Sequence, residues 1–154
     1  MAIALNGSKR MTEGFGPMPG GIKQHPFNQV DGLKKIINKN TAAVVIELIQ
    51  GEAGIVPAKK VFINEIRKLC RKNNALIVID EVQSGVGRTG HLYAYEKYDI
   101  KPDILCSAKG MGNGIPIGAI LTTNKVAKAM QVGAHGSTYG GNPLACSFSY
   151  EVFK

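Results

Sequence analysis

Long apolar runs are absent from this sequence. No stretch approaches the roughly 20 residues that a membrane-spanning helix needs, and the first residues do not lead a charged segment into an apolar core and a cleavage site. No membrane partner is expected, and the chain reads as cytoplasmic. Cysteine is scarce: Cys70, Cys106 and Cys146 are odd in number, widely spaced and set in apolar segments. They make neither a disulfide framework nor a paired-cysteine metal pattern, which suits a reducing compartment. His25, His91 and His135 lie far apart without a cysteine or acid at ligand spacing, so no metal is expected. Acids and aromatics are also few. There are 11 acidic residues against 19 basic ones, a net charge of +8, and aromatics make up 6%. The basic excess raises the possibility of nucleic-acid binding, but it is mostly scattered lysine, as in Lys34-Lys35, Lys59-Lys60 and Lys125. Too few aromatics interleave with it for base stacking, so the expectation is a solvated lysine face and no nucleic-acid partner.

What is present is a chain of 154 residues, 44% hydrophobic, long enough for one domain with a core. Residues 1–30 are rich in glycine and proline and read as loop. Asp31 is placed to cap a short helix reaching about residue 40, with Leu33, Ile36 and Ile37 on one face. The run 42–49 is a buried strand interrupted only by Glu47, followed by a turn over 50–54. Pro57 suits the first turn of a helix in which Phe62, Ile66, Leu69 and Cys70 recur at helical spacing up to Asn73-Asn74. A second buried strand over 75–79 follows, so strand, helix and strand form a βαβ unit. Further strands are expected over 103–107 and 117–122, then a helix over 125–131 and another begun by Asn142-Pro143. The fold class is α/β, with a mostly parallel sheet.

Two of these strands end in reactive groups. The run 75–79 stops at Asp80-Glu81-Val82-Gln83, and the run 103–107 leads to Lys109 and Gly110. In open α/β sheets the carboxyl ends of the strands are where ligands bind. Gly85-Val-Gly-Arg-Thr-Gly90 satisfies the GxGxxG of a dinucleotide site, yet Asp80 and Glu81 stand in the turn where a pyrophosphate would have to sit. The strand ending in acids also resembles the magnesium-holding strand of P-loop ATPases, but no GxxxxGK[ST] loop accompanies it. A third reading joins Asp80 and Lys109 around pyridoxal 5'-phosphate. A lysine amine forms a Schiff base with an aldehyde, and a carboxylate opposite the pyridine nitrogen keeps the ring an electron sink. Gln83 can donate to the ring's phenolate oxygen, Val82 can lie on a ring face, and Gly110, Gly112 and Gly114 let the backbone turn tightly beside it. On these residues alone a surface lysine and a turn-forming aspartate remain the plainer alternative. An ATPase piece or a basic binding module also stays open.

The strings Glu47-Leu-Ile-Gln-Gly-Glu52, Asp80-Glu-Val-Gln-Ser-Gly-Val-Gly-Arg-Thr-Gly90, Pro102-Asp-Ile through Ala108-Lys-Gly110 and His135-Gly-Ser-Thr-Tyr-Gly-Gly-Asn-Pro-Leu144 resemble the class III pyridoxal-phosphate aminotransferases, in order and over nearly the whole chain. Within that class they resemble the acetylornithine subgroup. The resemblance implies the large domain of fold-type I, a mostly parallel sheet with helices on both faces, of which residues 1–154 form the central part without the N-terminal segment and the C-terminal small domain. It implies transfer of an amino group from N-acetylornithine to 2-oxoglutarate, with ornithine, 4-aminobutyrate or succinyl-diaminopimelate as alternative donors. By resemblance Lys109 is the Schiff-base lysine and Asp80 the pyridine partner, with Glu81, Val82 and Gln83 among the cofactor contacts. Thr138 meets the cofactor phosphate across a homodimer interface, Ser137 and Glu52 lie near substrate, and Arg88 holds its turn. Leu48 stands where the family has proline and Asn113 where it has glycine. The chain by itself is expected not to be competent for turnover, and to expose apolar surface.

Overall fold

Branched residues crowd two runs, Val44-Val45-Ile46 and Ile77-Val78-Ile79, and their stiff side chains favour extended backbone. In the structure, a computed structural model describing residues 2–154, these runs are the parallel neighbours β1 (Ala43–Glu47) and β4 (Leu76–Asp80). β5 (Ile104–Ser107) is parallel to β4, and β6 (Ala119–Thr122) is antiparallel to β5, giving the order β1-β4-β5-β6. Asp103 extends the β4–β5 ladder: its carboxylate accepts from the Ile77 amide at 2.8 Å, while its own amide donates to the Ile77 carbonyl at 2.8 Å.

The expected strand over 42–49 is split. The chain bends at Leu48, and β2 (Ile49–Gln50) leaves the main sheet to pair antiparallel with β3 (Val56–Pro57). Leu48 is fully buried, and its carbonyl accepts from the Ala58 amide at 2.8 Å and the Tyr98 hydroxyl at 3.3 Å. That bond to Ala58 holds residues 56–58 extended. Pro57 therefore lies in the ribbon and not in a helix, and α3 (Lys60–Asn73) starts three residues later. The Asn28 carboxamide accepts from the Lys59 amide at 2.6 Å beside that start.

α3 buries Phe62, Ile63, Ile66, Leu69 and Cys70. Side chains alternate along a strand, so Val44, Ile46, Ile77 and Ile79 share one face, and α3 packs on it around Leu48. Each fully buried Leu, Ile or Phe contributes about 1.5–3 kcal/mol. Asn74 ends the helix in the left-handed conformation, φ 55°. The opposite face, with Val45, Val78, Ile104, Cys106 and Ile120, is more open: Val45 is 45% exposed and Ile120 65%.

The shorter helices differ from expectation for local reasons. α1 (Lys9–Thr12) interrupts the N-terminal loop. α2 is one turn, Leu33–Ile36, and its cap is not Asp31 but Gly32 at φ 89°, a left-handed conformation that glycine adopts freely. It stops because the Thr41 hydroxyl donates to the Ile36 carbonyl at 2.9 Å, drawing the backbone out of helical register. α4 (Asn124–Ala127) is capped by Thr123. α5 (Pro143–Phe153) begins as expected: the Asn142 carboxamide accepts from the Ala145 amide at 2.9 Å with Pro143 in the first turn. No helix among the described residues is long and apolar enough to cross a membrane.

Candidate active site

Parallel register puts the ends of three strands level. Glu47 of β1 is paired with Asp80 of β4, and Asp80 with Cys106 of β5. All three point to the face that α3 leaves open, at its carboxyl edge. The Asp80 carboxylate accepts from the Val82 amide at 2.9 Å, which turns the chain sharply off the strand. That turn carries Gln83 back across the strand ends toward β5. Beyond β5, a single 3-10 turn (Lys109–Gly112) presents the lysine.

Lys109 Nζ donates to Gln83 Oε1 at 3.0 Å. The Lys109 backbone has φ 45°, the left-handed region, which costs a residue with a Cβ about 1–2 kcal/mol and is typical of positions where geometry serves function. α5 packs behind this turn. A hollow of about 460 Å³ opens beside Lys109, lined also by Gly114, Ile115, Pro116 and Ile117. A second hollow, about 370 Å³, lies on the N-terminal segment between Asn6 and Gln24, away from these groups. Of the two, only the first touches a candidate site residue, Lys109.

Glu47 and Gly51 escaped the sequence reading as site residues. Glu47 was visible as the one charge in an apolar strand and as the start of a family-like string; its strand position is paired with Asp80, and its carboxylate accepts from the Gly51 amide at 3.1 Å. Gly51 touches Gln83 so closely that a Cβ there would lie 2.6 Å from both the amide nitrogen and oxygen. Only glycine lets Gln83 occupy this place. Burial, and next the Asp80 carboxylate, push the Cys106 thiol above its ordinary range, so Cys106 is a neutral neighbour at this edge.

Glu81, grouped by resemblance with the cofactor contacts, is instead fully buried. Its carboxylate accepts from the Ser84 hydroxyl at 2.6 Å and from the Ala94 and Tyr95 amides at 3.1 and 2.7 Å. Val82 is half-buried next to the site. Glu52, Ser137 and Thr138 are exposed on loops, and no side-chain hydrogen bond among the described residues joins them to Asp80, Gln83 or Lys109. Arg88 is exposed, and its amide donates to the Gly85 carbonyl at 3.4 Å within its turn. Asn113 takes the left-handed conformation at φ 45°, which asparagine tolerates better than most residues; this accounts for its standing where the family has glycine.

Comparison with known proteins gives the chain's family. The family model "Aminotransferase class-III" matches residues 1–154. The acetylornithine/succinyldiaminopimelate aminotransferase of Buchnera aphidicola is 53% identical over 150 residues, covering 97% of this chain and 37% of the relative. The acetylornithine aminotransferase of Pseudomonas putida gives the same identity and coverage, and the succinylornithine transaminase of Yersinia pseudotuberculosis is 50% identical over 152 residues. Among solved structures, the ornithine aminotransferase of Toxoplasma gondii superposes with a TM-score of 0.91 at 35% identity, covering 98% of this chain and 36% of that one. The crystal of that protein shows partial occupancy of pyridoxal phosphate at its active site. This chain thus spans a little over a third of the length of the curated relatives it matches. Its family is settled by these matches: the chain belongs to the class III aminotransferases.

Proposed function

We propose that this chain is the central part of a cofactor-binding large domain, and that it supplies the catalytic edge for transfer of an amino group from N-acetylornithine to 2-oxoglutarate with pyridoxal 5'-phosphate. The observation that carries this reading is the Lys109–Gln83 contact of 3.0 Å beside the Asp80 strand end. The amine suits an aldehyde, the acid a pyridine nitrogen and the amide a phenolate, so these residues fit that cofactor. When bound, pyridoxal 5'-phosphate supplies an aldehyde that holds the substrate's amino group and a ring that takes up the electron pair left when the substrate carbon loses its proton.

Lys109 would hold that aldehyde through Nζ, and its amine is the group that would take the proton from the substrate carbon. Asp80 holds the proton on the ring nitrogen, and Glu47 beside it adds negative charge that favours the same state. Gln83 keeps Lys109 on its amide oxygen and has its amide nitrogen left to donate. Val82 gives an apolar surface that excludes water. Thr138 is assigned to the phosphate of a second subunit's site in a homodimer, and Ser137 and Glu52 to the substrate. Their lack of contact with the Lys109 group supports weak cofactor binding by the isolated chain.

The names of the relatives support acetylornithine first, with succinylornithine, succinyl-diaminopimelate, ornithine and 4-aminobutyrate as the other donors. The test incubates the chain with pyridoxal phosphate and one donor at a time, then adds borohydride. A donor that reacts frees Lys109, so the fraction of cofactor fixed to it falls. Acetylornithine is expected to lower that fraction most; equal effects of all donors would contradict the assignment.

A further inference from the structure

We propose that Glu81 is a positioning residue: together with Tyr93 it forms a buried brace that sets Asp80 and Gln83 on one strand end against Lys109 on the other. The proposal rests on the pyridoxal-phosphate reading only for what is positioned. The brace itself is defined by contacts within the chain.

Glu81 joins four pieces of backbone. Its amide donates to the Cys106 carbonyl at 2.9 Å, fixing the end of β4 to β5 two residues past the ladder's start at Ile104 and three before Lys109. Its carbonyl accepts from the Gly85 amide at 2.9 Å and closes the turn holding Val82 and Gln83. Its carboxylate takes the Ser84 hydroxyl and the first amides of the 3-10 turn Ala94–Tyr98. No Lys or Arg ion pair reaches it among the described residues. A buried carboxylate with only neutral donors is stable only while those donors stay aimed at it, so it holds the loop 81–95 shut.

Tyr93 completes the link. Its ring lies on Gly85, where a Cβ would come within 2.8 Å of it, and its hydroxyl donates to Ser107 Oγ at 3.3 Å, two residues before Lys109. Both Tyr93 and Ser107 are buried. The loop leaving Asp80 is therefore tied back to the strand leading to Lys109 by two routes, one at Glu81 and one at Tyr93. The β4–β5 ladder sets the strand ends level, and these two ties fix the turn that carries Gln83 against the strand that leads to Lys109.

The test uses Glu81→Gln, which places an amide nitrogen among donors, and Tyr93→Phe, which keeps the ring and loses only the hydroxyl. One readout is amide hydrogen exchange without cofactor. The other is the ratio of pyridoxal phosphate fixed by borohydride at Lys109 to that fixed at exposed Lys125, a ratio that loss of global stability alone does not change while the protein stays folded. In Glu81→Gln the amides of Gly85 and Met111 should lose protection along with Ala94 and Tyr95, and the ratio should fall about tenfold, less than the roughly 100-fold that a full 1 Å misplacement can cost. Tyr93→Phe should lower it by roughly two- to threefold. Loss of protection confined to Ala94 and Tyr95, with Met111 and the ratio unchanged, would overturn the proposal. If the unmodified chain shows no preference for Lys109, the cofactor reading fails, and exchange at Met111 still decides the brace. If Glu81→Gln does not fold, Tyr93→Phe decides it: unchanged exchange over residues 109–111 overturns the proposal.

Discussion

Two groups of residues implicated by the family resemblance lie in very different settings. Asp80, Gln83 and Lys109 stand at the ends of paired strands, each with a partner inside the chain. Ser137 and Thr138 stand on an exposed loop, and Glu52 on an exposed turn. The contrast shows what a parallel sheet does for a site. Level strand ends bring distant residues together with no ligand present, whereas loop residues acquire partners only from a ligand or another subunit. The first group has its partners within the chain, and the second has no side-chain hydrogen bond to it among the described residues.

That contrast can be broken or sharpened by substitution. Asp80→Asn keeps an oxygen for the Val82 amide and removes the charge, so the fold should stand while pyridoxal phosphate retention drops about 10- to 100-fold, measured by dialysis and absorbance. Gly51→Ala should drive the exposed Gln83 amide from its place and slow fixation at Lys109 about tenfold, with the urea midpoint shifted by less than about 1 kcal/mol. Unchanged fixation would show that Gln83 does not hold Lys109.

The covered face of the sheet offers a contrast in pH. Burial, and next Asp103, push the Cys70 thiol from its ordinary value of 9.0 up to about 11. Below 9 both folded and unfolded states keep the proton. Between 9 and 11 the unfolded state alone ionises, so stability falls as pH rises, by about 2 kcal/mol in all. Urea midpoints on either side of this window should differ less in Cys70→Ala than in the unaltered chain. The smallest effect is expected at Thr138→Ala, which should change stability by less than about 0.5 kcal/mol, as exposed positions do. A larger loss, read by thermal melting, would mean that this loop is already held in the free chain.

Much of this was legible in sequence because it depends on local pattern. The β-branched runs, the apolar stripe of α3 and the Asn142-Pro143 start each specify their element within a few residues. Asp80 and Lys109 stood out as candidates because both follow apolar runs, and those runs are neighbouring strands in the structure. What was missed depends on distant partners. Pro57 lies in a ribbon because Ala58 donates to Leu48, and the helix cap falls one residue past Asp31, at the left-handed Gly32. Glu47 joins the site only through its register with Asp80, and Glu81 turns inward only because the amides of Ala94 and Tyr95 arrive there. The roles of Glu52, Ser137 and Thr138 came from resemblance alone, and no side-chain hydrogen bond of the described residues ties them to the Lys109 group.

The most direct measurement of the central claim is peptide mapping of the chain after incubation with pyridoxal phosphate and borohydride reduction. A lysine held by Gln83 at the paired ends of β4 and β5 should carry most of the label, and Lys109→Ala should carry none in that peptide. Label spread over Lys34, Lys59, Lys109 and Lys125 alike would contradict the account and leave Lys109 one surface amine among many.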